Sequence, residues 1–186
     1  MLKKIIVFAA ALVVSLIFVN VFSIASEAQS SRYTPDEKIA GTHWFYSEWF
    51  ENDALNQCRV LLETQAFNGS RSTIAISVLS KGSLVLAIKD NDWKNQINLT
   101  FGWSVGKEFG KVLLHLKDGR LATAGKIVLP EVFLIGLPKD QEIMLKAFFA
   151  SEDMGVSVEG LIYKAWNTPG LSKAWQRLKK CKLLEQ

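Results

Sequence analysis

Residues 111–129, KVLLHLKDGRLATAGKIVL, carry the clearest structural signal in the chain. Two runs in which apolar residues alternate with others flank Asp118 and Gly119, and a tight hairpin requires turn residues that tolerate a positive φ. His115 falls on the face of the first run that is opposite to its apolar neighbours, because successive side chains of a strand point to opposite sides. The stretch therefore predicts two antiparallel strands joined by a short turn.

Runs with the same two-residue alternation recur along most of the chain, and short turn or loop segments separate them. A less regular aromatic run, HWFYSEWF, begins the series and is interpreted as a first strand. The predicted strands lie at residues 43–50, 57–65, 73–78, 84–88, 96–101, 111–129 (two strands), 132–136 and 155–163.

Two helices are predicted late in the chain. The first spans about residues 139–151 and follows Pro138, and the second is capped by Thr168 and begins at Pro169. Many short strands with two short late helices, and no regular strand–helix alternation, indicate a mainly β protein of the α+β class. We expect an antiparallel β-sandwich or a partly closed barrel with a C-terminal helix that is held by a disulfide.

The N-terminal residues have the three-part pattern of a secretory signal, with two lysines, an apolar run and then small residues. This pattern predicts a cleaved signal peptide at residues 1–28. The alternative is a membrane anchor, because residues 5–25 are long and apolar enough to span a bilayer. Residues 29–42 are predicted to form a polar tether, and residues 43–186 a single β-rich domain. The domain is then periplasmic or secreted in a bacterium, or attached to the inner membrane if the anchor is retained.

The chain contains two cysteines, and in an exported protein two cysteines suggest one disulfide. Cys58 lies on the apolar side of its predicted strand, and Cys181 lies on the apolar side of the last helix. A bond between them would close a loop of about 120 residues and stabilise the fold by about 4–5 kcal/mol in the chain-entropy model. The alternative is a pair of unpaired, buried thiols.

The sequence gives little indication of catalytic chemistry. Its two histidines, His43 and His115, are far apart, and a zinc site needs three or four clustered donors. No serine is predicted at a strand-to-helix turn of the nucleophile-elbow type. We therefore expect no enzymatic activity, no catalytic residues, no cofactor and no metal. Three pairs of acids fall in predicted loops, where solvated carboxylates are the ordinary case: Glu51/Asp53, Asp90/Asp92 and Glu152/Asp153.

Six tryptophans are a large number for a chain of this length, and exposed aromatic side chains can form a binding platform. Most of the six are expected in the core, but Trp93 and Trp103 lie beside predicted turns and suit a surface position. The hairpin tip adds Lys117, Asp118 and Arg120. These five residues form the predicted binding surface.

Several motifs follow one another along the chain: QCRVLL, then GKEFGKVLLHLKDGR, then GVSVEGLIYKAW, and finally a terminal helix, LSKAWQRLKKC. This order resembles the small exported bacterial proteins of the invasion-associated locus B type. Ala174, Leu178 and Cys181 fit the ending of that family, in which a similar β domain closes on a helix that ends in cysteine. Members with more cysteines and a tighter first motif differ from this chain. Over residues 44–181 the resemblance implies a periplasmic or cell-surface, non-enzymatic protein that is linked to envelope or host interaction.

These observations predict a non-enzymatic exported envelope protein that acts as a binding or accessory domain in host or envelope interaction. Its partner is expected to be another protein or an envelope component, because a net charge of +4 is too small to indicate nucleic acid. Membrane contact would occur only through residues 5–25 if they are uncleaved, and the oligomeric state stays open. The alternatives are a membrane-anchored component of an envelope assembly, and a hydrolase or inhibitor with a site around residues 117–120.

Overall fold

The computed structural model describes residues 31–90, 92–101, 105–117, 119–129, 132–137 and 142–185. Its strands are β1 (Ser31–Tyr33), β2 (Glu37–Lys38), β3 (Trp44–Glu51), β4 (Ala54–Gln65), β5 (Arg71–Leu79), β6 (Leu84–Asp90), β7 (Glu108–Leu116), β8 (Gly119–Leu129), β9 (Val132–Leu137), β10 (Asp153–Val158) and β11 (Ile162–Asn167). Its helices are α1 (Trp93–Phe101), α2 (Glu142–Ala150) and α3 (Leu171–Leu178). The signal peptide or anchor predicted at residues 1–28 lies outside the described residues.

The strands of the described residues form one antiparallel sheet in the order β1-β3-β4-β5-β6-β9-β8-β7-β10-β11, and β2 pairs with β3. Over these residues the sheet is not closed. Its last strand, β11, approaches the end of β4 through an isolated bridge between Ala66 and Trp166, and the amide of Phe67 donates a hydrogen bond to the carbonyl of Ala165 (2.9 Å). The predicted mainly β fold with two short helices late in the chain is confirmed.

The hairpin predicted at residues 111–129 is present as the pair β7–β8. Leu116 lies opposite Gly119 across the turn, and His115 lies opposite Arg120. The pairing is irregular between Phe109 and Val112, which lie near the far end of the hairpin. Asp118, predicted in the turn, lies outside the described residues. The two-residue period of this stretch therefore set both the strands and their register.

The core lies on one face of the curved sheet, and the helices cover the parts that the strands leave open. Helix α3 packs on β3 and β4, α2 packs on α3 and β8, and α1 packs on β6 and β11. The inward residues alternate along the strands as predicted, for example Ile74, Ile76 and Val78 on β5 and Leu84, Leu86 and Ile88 on β6.

The strand predicted at residues 96–101 is wrong, because these residues belong to helix α1. The carbonyl of Asp92 accepts a hydrogen bond from the amide of Gln96 (3.2 Å), which begins the helical pattern. Leu99, which the alternation placed on an apolar face, is 87% exposed. A short apolar run does not by itself distinguish a strand from a helix, and here docking of the helix on the sheet decides between them.

The last helix begins at Leu171, two residues later than predicted. Gly170 precedes it with a φ of 79°, a left-handed conformation that glycine adopts without strain and that interrupts a right-handed helix. The hydroxyl of Thr168, predicted to cap the helix, is buried with no hydrogen-bond partner among the described residues. The carbonyl of Pro169 instead accepts a hydrogen bond from Nε1 of Trp44 (3.1 Å). Thr168 is therefore buried before the helix starts, and the Pro169 carbonyl ties this segment to Trp44 of β3.

Part of the tether predicted at residues 29–42 belongs to the sheet. Strands β1 and β2 both pair with β3, and the ring of Tyr33 stacks on that of Trp49 with centroids 6.2 Å apart. Arg177 of α3 reaches back to Glu37 (3.2 Å), and its guanidinium lies 3.5 Å from the ring centroid of Tyr46. The first described strands and the last helix therefore meet over β3.

The predicted disulfide between Cys58 and Cys181 is confirmed, with the two Cα atoms 6.2 Å apart. Both cysteines are buried, and the bond holds the segment after α3 to the middle of β4. Structural disulfides persist in oxidising compartments. The bond therefore indicates that the domain lies outside the cytoplasm.

Candidate functional site: a buried ion pair and an outer patch

Asp90 and Lys164 form an ion pair inside the core. Asp90 is the last residue of β6, where it continues the inward phase of Leu86 and Ile88, and its side chain is 0% exposed. The side chain of Lys164, on β11, is 2% exposed, and its Nζ donates a hydrogen bond to Oδ1 of Asp90. The prediction that Asp90 is a solvated loop acid is therefore wrong. The inward phase of β6 extends one residue further than expected, and a cation from a distant strand neutralises the carboxylate.

Hydroxyl and amide groups complete the surroundings of this carboxylate. The hydroxyls of Ser70 and Ser72 donate to its Oδ2, and the amide of Asp92 donates to Oδ1 (2.9 Å). Ser72 in turn accepts a hydrogen bond from Nε1 of Trp166 (2.7 Å). A buried charge is tolerated only when it is paired and hydrogen-bonded, and both oxygens of this carboxylate meet that condition.

The pKa of Asp90 is set by two opposing effects. Burial alone would raise the pKa of this carboxyl group, because burial disfavours the charged form. The hydrogen bonds that stabilise the charged form, led by the one from Lys164, outweigh burial and hold the pKa below its usual value. Asp90 is therefore a carboxylate in the ion pair at neutral pH.

Trp93 covers this ion pair from α1, so its prediction as a surface residue is wrong. Its side chain is 1% exposed, and its ring lies 6.0 Å from that of Trp166 and 5.5 Å from that of Phe133, between centroids. Nζ of Lys164 lies 5.9 Å from the Trp93 centroid. The indole N–H of Trp93 has no hydrogen-bond partner among the described residues. The turn that seemed to expose this tryptophan instead starts a helix that packs it on the end of the sheet.

The other predicted surface residues fall into two groups. Lys117 and Arg120 are exposed beside the β7–β8 turn, whereas Trp103 and Asp118 lie outside the described residues. The five predicted residues therefore do not form one surface, because Trp93 is buried between α1 and the sheet. Lys117 and Arg120 border a different group of side chains.

That group lies on the outer face of β7, β8, β10 and β11, and we define the outer patch as His115, Lys117, Arg120, Ser157 and Tyr163. Nε2 of His115 lies 2.7 Å from Oγ of Ser157, and the ring of His115 meets that of Tyr163 edge to face, with centroids 5.3 Å apart. Tyr163 is 60% exposed. The patch therefore presents an aromatic ring beside two basic side chains.

Tyr163 is held over a glycine. A Cβ atom added to Gly155 would lie 2.7 Å from the hydroxyl of Tyr163, so the ring occupies space that only glycine leaves free at this position. Burial, and then the positive charge of Arg120, lower the pKa of His115. His115 is therefore neutral at neutral pH, and its ring nitrogen can accept the proton of the Ser157 hydroxyl.

One feature of the sequence indicates the buried ion pair, and it follows from strand periodicity alone. Ile162, Lys164 and Trp166 share one phase of β11, and all three point inward. A lysine between two buried apolar residues of a strand requires an anionic partner. The identity of that partner follows from the tertiary fold, since Asp90 is 74 residues away in sequence.

One sequence motif has the wrong structural context for catalysis. Residues 102–106, GWSVG, match Gly-x-Ser-x-Gly, a pattern that in hydrolases forms the turn from a strand to a helix. Here the motif lies between helix α1 and strand β7, which is the reverse order, and Ser104 lies outside the described residues. The motif therefore gives no support to a nucleophile elbow.

The described part of the chain contains no group of three or more His, Cys, Asp or Glu side chains that could hold a metal ion, and His43 is exposed. None of the described helices has the length and apolarity needed to cross a lipid bilayer. Comparison of the chain with models of protein families, with curated proteins and with solved structures finds no match.

Proposed function

We propose that the protein is a non-enzymatic envelope protein, periplasmic or secreted, that binds an acidic protein partner through the outer patch. The observation that carries the proposal is Tyr163, a largely exposed aromatic side chain that Gly155 and His115 hold in one position. Tyrosine and arginine are the residues most often responsible for binding energy at protein interfaces, and a fixed ring loses little entropy on binding. Arg120 and Lys117 supply the positive charge that selects an acidic surface.

The proposal is tested by capture from envelope extract with the processed protein as bait. Wild type is compared with Tyr163→Ala and Arg120→Glu. Leu99→Ala is the control, because Leu99 is an even more exposed apolar residue (87% exposed) and lies on α1, outside the outer patch. We expect a partner that wild type and the control retain and that both outer-patch variants lose. With that partner purified, Tyr163→Ala should weaken the dissociation constant by roughly tenfold or more, and affinity should fall as salt is raised. Retention of the same proteins by all four baits would overturn the proposal.

A hydrolase with its site in the outer patch is the alternative that the His115–Ser157 contact favours. A neutral histidine within hydrogen-bond reach of a serine hydroxyl is the first requirement for an activated nucleophile. Ser157 is 7% exposed, however, so substrate access would require Tyr163 or its neighbours to move. Labelling by a fluorophosphonate probe distinguishes the two functions: the hydrolase predicts labelling that Ser157→Ala abolishes, and the binding domain predicts none.

The membrane-anchored alternative uses the same outer patch and differs only at the N-terminus. The mass of the N-terminal peptide from protein isolated from its host decides between them. A chain processed after residue 25 or 28 is free of the anchor, and a chain that retains residues 5–25 is an anchored component of an envelope assembly.

A further inference from the structure

The ion pair between Asp90 and Lys164 places an amine nucleophile directly against a carboxyl group. Nζ donates to Oδ1, and neither side chain is more than 2% exposed. Trp93 and Trp166 cover the pair with aromatic rings, so bulk water does not reach either group. The fold thus holds two groups that react only slowly between separate molecules at the proximity that makes an intramolecular reaction fast.

We propose that Lys164 and Asp90 condense to an intramolecular isopeptide bond that joins β11 covalently to β6. The bond that forms is between Nζ and Cγ, and the bond that breaks is between Cγ and Oδ1. One molecule of water leaves. The starting ion pair and the product amide have the same net charge, and no oxidant, reductant or cofactor is needed.

The groups around Asp90 suit each stage of this reaction. Attack of Nζ on Cγ places negative charge on Oδ2, and the hydroxyls of Ser70 and Ser72 already donate to that oxygen. Donors that are aimed in advance at the oxygen on which charge develops are a major source of catalysis in acyl transfer. The amide of Asp92 donates to Oδ1, the oxygen that departs.

Asp92 supplies the group that moves protons. Its Oδ2 lies 3.7 Å from Nζ of Lys164, and the side-chain amides of Gln96 (2.8 Å) and Asn68 (3.3 Å) hold the same oxygen. Asp92 is 39% exposed, so it connects the buried pair to solvent. A shift of about 0.5 Å brings this oxygen within hydrogen-bond reach of Nζ, where a carboxylate can accept a proton from the amine and return it to the leaving oxygen.

The protons balance in two transfers. The first passes from the ammonium of Lys164 to Oδ1 of Asp90 along the existing hydrogen bond, which gives a neutral amine and a neutral acid. After Nζ attacks Cγ, Asp92 accepts a second proton from Nζ and delivers it to the Oδ1 hydroxyl as the Cγ–O bond breaks. The oxygen leaves as water, and Asp92 is again a carboxylate.

The position of the bond gives it a structural effect. β11 is the last strand of an open sheet, and edge strands are the parts of a sheet most prone to detach or to pair wrongly. A covalent link from β11 to β6 crosses the core and holds this edge. The Cys58–Cys181 disulfide holds the C-terminal segment to β4, so the two links would fasten different ends of the fold.

The test is the mass of the full processed protein after reduction of its disulfide. The expected mass is about 18 Da below that calculated from the sequence, which is the loss of one water. After tryptic digestion, a branched peptide should contain both Asp90 and Lys164, with no cleavage after Lys164. A mass equal to that of the unmodified chain overturns the proposal, and so does a loss of water that maps to other residues.

Two comparisons separate this reaction from simple contact between an amine and an acid. Glu142 and Lys146 form an ion pair with an N–O distance of 3.0 Å, but they are 78% and 74% exposed, and they should remain unlinked in the same digest. Asp92→Asn keeps a side chain that can accept the hydrogen bond from Gln96, but it cannot carry the proton. We expect formation of the branched peptide in refolded Asp92→Asn to be slower by roughly 100-fold, and a wild-type rate in this variant would contradict the role of Asp92.

Discussion

Removal of the Cys58–Cys181 disulfide should lower the free energy of unfolding by about 4–5 kcal/mol. The two residues are 123 positions apart, and in the chain-entropy model a loop of this length gives about 4.9 kcal/mol at 25 °C. Both cysteines are buried, so replacement by alanine adds a small packing loss and no buried polar group. For a domain of this size the melting temperature should fall by roughly 10–20 °C.

The measurement is urea unfolding followed by tryptophan fluorescence on wild type and on Cys58→Ala/Cys181→Ala, each with and without reductant. Reductant should bring wild type close to the variant and should leave the variant unchanged. A difference below about 1 kcal/mol between the two proteins would show that the C-terminal segment is held without the bond. The slope of free energy against urea should be steeper for the variant, because an unfolded chain without the crosslink is more expanded and exposes more surface.

Three further outcomes follow from the site geometry. In urea unfolding, Trp166→Phe should destabilise the fold by about 2–3 kcal/mol and Trp93→Phe by about 1–2 kcal/mol. The loss is larger at Trp166 because, of the two, only this indole donates a hydrogen bond that the substitution removes. Gly155→Ala should displace the exposed ring of Tyr163, with little change in melting temperature but with loss of partner binding in the capture assay. Burial and Arg120 lower the pKa of His115 in the folded protein. Its contribution to stability is therefore complete above the unfolded-state pKa of about 6.5 and is lost as the pH falls from there through the lower pKa of the folded state. His115→Gln should remove this part of the pH dependence of the melting temperature.

The parts of the fold that the sequence predicted are those that local periodicity decides. Cys58 occupies the apolar phase of β4, and Cys181 continues the apolar spacing of α3 three residues past the end of that helix at Leu178. Local spacing alone therefore places both sulfurs in the core. The β7–β8 hairpin was found for a similar reason, since a turn residue separates two alternating runs. In these cases the relevant interactions are nearly all between near neighbours in sequence.

Helix α1 shows where such reasoning fails. Ile97, Leu99 and Phe101 alternate as a strand would, yet Leu99 is largely exposed on a helix. What fixes the helix is the burial of Trp93 between β6 and β11, and β11 lies about 70 residues further along the chain. A contact at that separation leaves no periodic trace in the local sequence, so the local pattern around Trp93 predicts a surface position.

The local sequence around Asp90 does not predict the ion pair, for a related reason. A carboxylate after a strand is usually solvated, and Asp90 departs from that rule only because Lys164 arrives from another strand. Lys164 itself indicates such a pair, because a lysine in the inward phase of β11 cannot stay buried without a counter-charge. Charged residues in the apolar phase of a strand are therefore better guides to a buried site than acids in predicted loops.

The two covalent links are nested in sequence, and this makes their stabilising effects dependent on each other. Asp90 and Lys164 both lie between Cys58 and Cys181, so an isopeptide bond would shorten the loop that the disulfide closes from 123 residues to about 50. The chain-entropy model then gives about 4 kcal/mol for the disulfide with the isopeptide bond and about 5 kcal/mol without it. This dependence can be measured with a double-mutant cycle that combines Cys58→Ala/Cys181→Ala with Asp92→Asn, with the Asp92→Asn proteins studied before they have formed the amide. The unfolding free energies should show a coupling of about 1 kcal/mol. If the two changes in unfolding free energy add exactly, the unfolded wild-type chain contains only one of the two links. No other interaction would couple the two sets of substitutions, because the substituted residues lie apart in the fold.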